Sequence, residues 1–93
     1  MRLTIIPIDG NVGIDNQFYI GLDLSSCNIP NTIHALQWYE IEGELEFIDN
    51  PDRTKPMNEI ITELPNWAYA CVDLWNATKA EQIRIAEEAR IAK

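Results

Sequence analysis

The sequence predicts an α+β domain, a small and mostly antiparallel sheet of four to six short strands packed against one long C-terminal α-helix. Two observations carry this. Ahead of Pro65 the chain is made of short runs rich in β-branched and aromatic residues, punctuated by Gly, Pro, Asn and Asp, whereas residues 66–93 contain neither Gly nor Pro. Across the same divide the apolar spacing changes from period 2, the strand repeat, to steps of three and four, the helix repeat. A chain of 93 residues can bury one core and little more. The division predicted is a single domain over residues 1–78 and a helical C-terminal extension over 79–93.

Residues 3–6 (Leu-Thr-Ile-Ile) read as the first strand, ended by Pro7 and the turn cluster Asp9-Gly10-Asn11. Residues 12–14 and 18–20 flank Asp15-Asn16-Gln17 and predict a tight hairpin. Residues 21–31 form a crossing loop in which Leu22 and Leu24 plug the core. Residues 34–47 carry the clearest alternation, with Ile33, Ala35, Gln37 and Tyr39 on one side and His34, Leu36 and Trp38 on the other. Leu45 and Phe47 then alternate with Glu44 and Glu46, so two strands joined around Ile41-Glu42-Gly43 are predicted. Residues 49–56 are a polar loop with two prolines, the segment expected to move most. Residues 58–62 suit an edge strand better than a helical turn.

From Pro65 the pattern is helical, with Thr62 or Asn66 available to cap. Trp67, Cys71, Leu74, Trp75 and Thr78 form an apolar stripe for the sheet. Trp38, Trp67 and Trp75 are expected in the core, and Tyr39 and Tyr69 at the surface. A helix over residues 65–93 would be roughly 40 Å long, which outruns the body of such a small domain. Its last part must project or dock on another chain. Ala80, Ile83, Ala86, Glu87 and Arg90 make a poor heptad, so no long coiled coil is specified.

Fifteen acidic against seven basic residues give a net charge of −8, a field that repels nucleic acid. Six of the fifteen lie between Glu40 and Asp52. No run approaches the ~18 apolar residues of a membrane span, and the first residues lack a signal-peptide core. Cytoplasmic residence is expected, which suits Cys27 and Cys71 as buried free thiols, with one disulfide as the alternative.

No catalytic residue, cofactor site or metal site is predicted. Glu40, Glu42, Glu44 and Glu46 stand at alternate positions, as paired acid/base carboxylates could, but the preferred reading is the wet side of an amphipathic strand, and the turn at Gly43 breaks the register between Glu40 and Glu44. Cys71 lies on the apolar stripe, where a thiol is deactivated; Cys27 with His34 is the remaining nucleophile–base combination, in a hydrolase reading kept as the last resort. The Asp residues near loops follow no calcium-loop spacing, and the soft ligands are too scattered for zinc. Partner contact is the function left, through Ile83, Ile85 and Ile91 on the distal helix and Glu42, Glu44 and Glu46 on the acidic strand.

The segments His34-Ala35-Leu36-Gln37-Trp38-Tyr39, Gly43-Glu44-Leu45-Glu46-Phe47 and Asn58 through Pro65, with the opening ten residues and Gly21-Leu22-Asp23-Leu24, resemble small proteins encoded by tailed bacteriophages, marine ones especially. The likeness covers most of residues 1–76. Such proteins are commonly encoded among tail and tail-fibre genes and bring no catalytic position with them. The resemblance implies a non-enzymatic minor tail component or tail-fibre assembly factor, in the infected host's cytoplasm or the virion. Its partner would be a further copy of itself, as a homo-oligomer, or another tail protein, with no nucleic acid and no membrane involved. The alternative is an acidic soluble inhibitor, a nucleic-acid mimic that binds a basic host protein.

Overall fold

The computed structural model describes residues 1–91. Strands β1 (Arg2–Ile6), β2 (Asn11–Ile14), β3 (Gln17–Tyr19), β4 (Ile33–Tyr39), β5 (Glu42–Phe47) and β6 (Glu59–Ile61) make one antiparallel sheet in the order β3-β2-β1-β4-β5-β6. One helix, α1 (Asn66–Ile91), follows. This is the α+β fold that the change of period implies, and residues 59–61 are indeed an edge strand, paired with β5.

Strand alternation decides which side chains are buried. On β1, Leu3 and Ile5 are fully buried; they oppose Ile14 and Val12 on β2, and Trp38 and Leu36 on β4. With Leu45 these side chains form the covered face of the sheet. Thr4, Gln37, Glu44 and Ile60 lie in one row on the opposite face, which no other element among the described residues covers.

Three local features depart from the alternation read in the sequence. A β-bulge between Ile33 and Ala35 inserts His34 as an unpaired residue, so Ile33 shares the covered face with Leu36 and Trp38 rather than siding with Gln37 and Tyr39. The β4–β5 turn is at Glu40 and Ile41, with Glu40 at φ 58°, and Gly43 belongs to β5 opposite Trp38. Glycine there serves close approach, not the turn: a Cβ would stand 2.6 Å from the Gln37 carbonyl oxygen and 2.8 Å from the Trp38 ring. The β2–β3 turn is two residues, Asp15 and Asn16, at φ 49° and 71°, the left-handed pair that a type I′ hairpin demands. It is fastened to β1, since the Arg2 N–H donates to the Asp15 carboxylate at 2.9 Å and the Asp15 N–H to the Arg2 carbonyl at 2.9 Å.

Helix α1 leaves the β6 edge, crosses the covered face, and reaches the β3 edge at the opposite end of the sheet. Its first turn closes through the Ala68 N–H on the Pro65 carbonyl at 2.9 Å. The buried stripe is Ala68, Cys71 and Trp75, while Trp67 and Leu74 are only half-buried. Trp67 is therefore not the core residue that its apolar spacing suggests. The small Ala68 takes the line facing the sheet, and the larger indole flanks it. Tyr39 and Tyr69 do reach the surface.

The remainder of the covered face is closed by residues 21–32, whose Leu22, Leu24 and Ile29 pack on the core around buried Cys27. At the β3 edge, the Trp75 indole N–H donates to the Gln17 carbonyl at 3.0 Å and the ring meets Tyr19 at a centroid distance of 5.7 Å. One residue thus fills the core and occupies a carbonyl of the edge strand.

Trp75→Phe, which keeps most of the ring and removes the N–H, should cost about 1 kcal/mol, and Trp75→Ala about 3–5 kcal/mol. Urea titration checks both; equal losses would mean that the hydrogen bond, not packing, carries the anchorage.

Candidate functional site

Beyond Trp75 the helix leaves the sheet. All of residues 80–91 are exposed, and the molecule extends 57 Å along its longest axis against 28 and 20 Å across. Its radius of gyration, 15.5 Å, exceeds the roughly 12 Å of a compact chain of this length. Residues 76–91 alone would add about 24 Å.

The docking of the helix fixes which of its faces continues outward. Cys71 and Trp75 face the core, and the same line runs on through Thr78, Gln82, Ile85 and Ala89, in alternating steps of four and three. No member of this line is charged, and the Thr78 hydroxyl is already bonded to the Leu74 carbonyl at 2.8 Å. Ile83 is displaced from Ile85 by about 200° around the axis and lies with Ala86, Glu87 and Arg90 on another side. Ile91 sits about 80° from Ile83. The three isoleucines named from the sequence, all exposed, are therefore not one surface; Ile85 alone continues the core-facing seam. The seam's register follows from the position of Trp75 on the sheet, which the spacing of the distal residues does not reveal.

Charges flank the seam. The Arg84 guanidinium bridges Glu81 and Glu88, the latter at 2.6 Å, and this holds the Glu81 carboxyl below the usual carboxylate range. The Lys79 ammonium lies over the Trp75 ring at 5.1 Å. Lys79, Arg84 and Arg90 balance Glu81, Glu87 and Glu88 over residues 76–91, three against three, so the projecting segment carries no net charge in a chain of −8.

The second surface is the uncovered sheet face. Glu42, Glu44 and Glu46 lie along it on β5, opposite Tyr39, Gln37 and Ala35, and Asn58 donates to Glu44 at 3.0 Å. Glu40 is apart from this row, in the turn, with its carboxylate on the Met1 amino group at 2.7 Å. Phe18 covers Gly13 on the same face, a cross-strand pair in which ring atoms occupy the space of a Cβ. Ile60 leaves apolar area exposed beside Glu44, and Phe18 does so at the opposite edge of the sheet.

A groove of about 440 Å³ opens between the end of β5 and the loop after it and is lined by Phe47, Ile48, Pro51, Pro56 and Met57, with Asp49 as the titratable group in its lining. The loop expected to move most is internally bonded: Thr54 donates through its N–H and its hydroxyl to Asp52, lowering that carboxyl's pKa, and Asn50 donates to Thr54. His34 is exposed on the bulge in an adjoining groove that shares Asp49 with the first and includes Lys55. Cys27 is buried against the helix in the same cluster as Cys71; burial first, then the neighbouring Cys27, pushes Cys71 up to about 12. The structure does not bring Cys27 and His34 together as a nucleophile and its base. Among the described residues no three His, Cys, Asp or Glu side chains are grouped as metal ligands, and no helix is long and apolar enough to cross a membrane.

Comparison of the chain with protein-family models, with curated proteins and with solved structures finds no match.

Arg84→Ala should lower helix content measured by far-UV circular dichroism, because Glu81 and Glu88 lose their shared cation. The thermal midpoint should stay within about 2 °C, since exposed ion pairs contribute little and the distal turns touch no core. A larger fall would show that the projecting segment supports the body.

Proposed function

We propose that this protein is a non-enzymatic protein–protein contact module whose contact surface is the projecting part of α1. The observation that carries this reading is the seam Thr78, Gln82, Ile85 and Ala89, uncharged and in register with the buried Cys71–Trp75 line, on a helix segment that its own sheet does not cover. Isolated helices of this length are marginal in water, so a partner that covers the seam would supply the packing that the sheet gives the first half. A second copy is the partner we favour. The segment has no net charge, so two such helices meet without the repulsion that the acidic row on β5 would impose. The seam is weakly apolar, which suits an assembly-dependent contact rather than a tight one.

The setting of a minor tail component or tail-fibre assembly factor is supported by the sequence resemblance to small tailed-phage proteins alone. A second reading, an acidic inhibitor of a basic host protein, is favoured by the alignment of Glu42, Glu44 and Glu46 with exposed Tyr39 and Ile60 on the uncovered face. That reading entails binding that weakens steeply with salt.

Light scattering during size-exclusion chromatography separates the two. We expect concentration-dependent association of the full chain at about 10–100 µM, lost in Ile85→Asp and in a 1–78 truncation but retained in Ile83→Asp. A monomer throughout that range, or equal effects of the two isoleucine substitutions, would contradict the seam.

A further inference from the structure

Cys27 and Cys71 are far apart in sequence and are brought together by the fold. Cys27 ends a single 3-10 turn, Ser25–Cys27, in the segment that closes the covered face, and Cys71 lies mid-stripe on α1, which packs against that turn. Both side chains are buried, at 3% and 0% exposure, in one cluster, on two elements that pack against each other. Burial alone would be unremarkable for cysteine. What distinguishes this pair is that the fold brings both cysteines into one buried cluster, from the two elements that together cover the sheet.

We propose that Cys27 and Cys71 are an oxidisable pair, forming an intramolecular disulfide by exchange with a low-molecular-weight disulfide and so stapling α1 to the loop beneath it. The Cys27 thiolate attacks one sulfur of the small disulfide, forming a mixed disulfide and releasing the first small thiol. The Cys71 sulfur then attacks the Cys27 sulfur, forming the internal S–S bond and releasing the second. Two protein thiols become one disulfide and one small disulfide becomes two small thiols, which take up both protons. Cys27 acts first because its turn is the part that can open. Ser25, Ser26 and Asn28 are exposed, and the turn is held by the Cys27 N–H on the Leu24 carbonyl and the Ser25 N–H on the Asp23 carboxylate, each at 3.0 Å. Cys71, in the middle of a helix, cannot be presented without undocking it. In the folded resting state both thiols are unreactive, so the exchange is gated by local opening of the turn.

The bond would link residues 44 positions apart in sequence and restrict the unfolded chain accordingly. It also joins the helix to the body close to Trp75, where the projecting segment begins. The inference does not rest on what the distal helix binds.

The test exposes the full chain to oxidised glutathione in urea below the unfolding transition, then denatures and alkylates it with iodoacetamide. We expect a monomer lighter by two hydrogens that takes up no iodoacetamide, with its thermal midpoint raised by about 10 °C or more and restored by dithiothreitol. Cys27→Ser and Cys71→Ser should each abolish the rise. Two alkylatable cysteines after exposure, a product dominated by glutathione adducts or by disulfide-linked dimers, or the same rise in Cys27→Ser would overturn the proposal. The mass and alkylation of the unmutated chain decide the matter even where a substituted chain folds poorly.

Discussion

The structure depends on where Trp75 sits. Its ring closes the core over β2 and β3, and its indole N–H occupies the Gln17 carbonyl on the edge strand. That contact sets the angle at which α1 crosses the sheet and the rotation of the helix about its axis. It also sets the point at which the helix runs out of sheet. An α-helix of 26 residues is about 39 Å long, and a six-stranded sheet spans about 24 Å between its edge strands, so a helix anchored at the far edge by its tenth residue must project.

From that anchor the remaining organisation follows. The helix and residues 21–32 share the covered face, which is why Cys27 and Cys71 meet. The face away from the helix is left to alternate strand positions, and these carry Glu42, Glu44 and Glu46 together with exposed Phe18, Tyr39 and Ile60. The acidic charge is thus concentrated on the sheet and its loops, while the projecting helix is neutral. The two ends of the molecule present different chemistry, and the absence of net charge on the helix is what makes like-with-like pairing physically accessible there.

Much of the fold was legible in the sequence, because strand alternation and the Gly/Pro punctuation before Pro65 are local signals. The β1, β2–β3 and β4–β5 strands, the edge strand β6 and the long helix all follow from them. What was not legible depends on contacts between elements. The bulge at His34 reverses the side on which Ile33 lies, and no residue type marks it. Gly43 looks like a turn residue and is instead required by the Gln37 carbonyl and the Trp38 ring. Ala68, and not Trp67, lies on the buried line of the helix, a rotation that hydrophobicity alone does not encode. The candidate site was read in part. The acidic row on β5 followed from alternation, but Ile83, Ile85 and Ile91 were grouped by type, and only the docked rotation of the helix separates Ile85 from the others.

The central claim is that the seam of residues 78–89, uncovered within one chain, is covered by a second copy. Hydrogen exchange of the amides of residues 80–91 tests it most directly, measured at about 1 µM and again at about 300 µM protein. The account predicts rapid exchange in the dilute sample and marked slowing in the concentrated one, confined to the distal helix. Exchange at the same rate in both would contradict it.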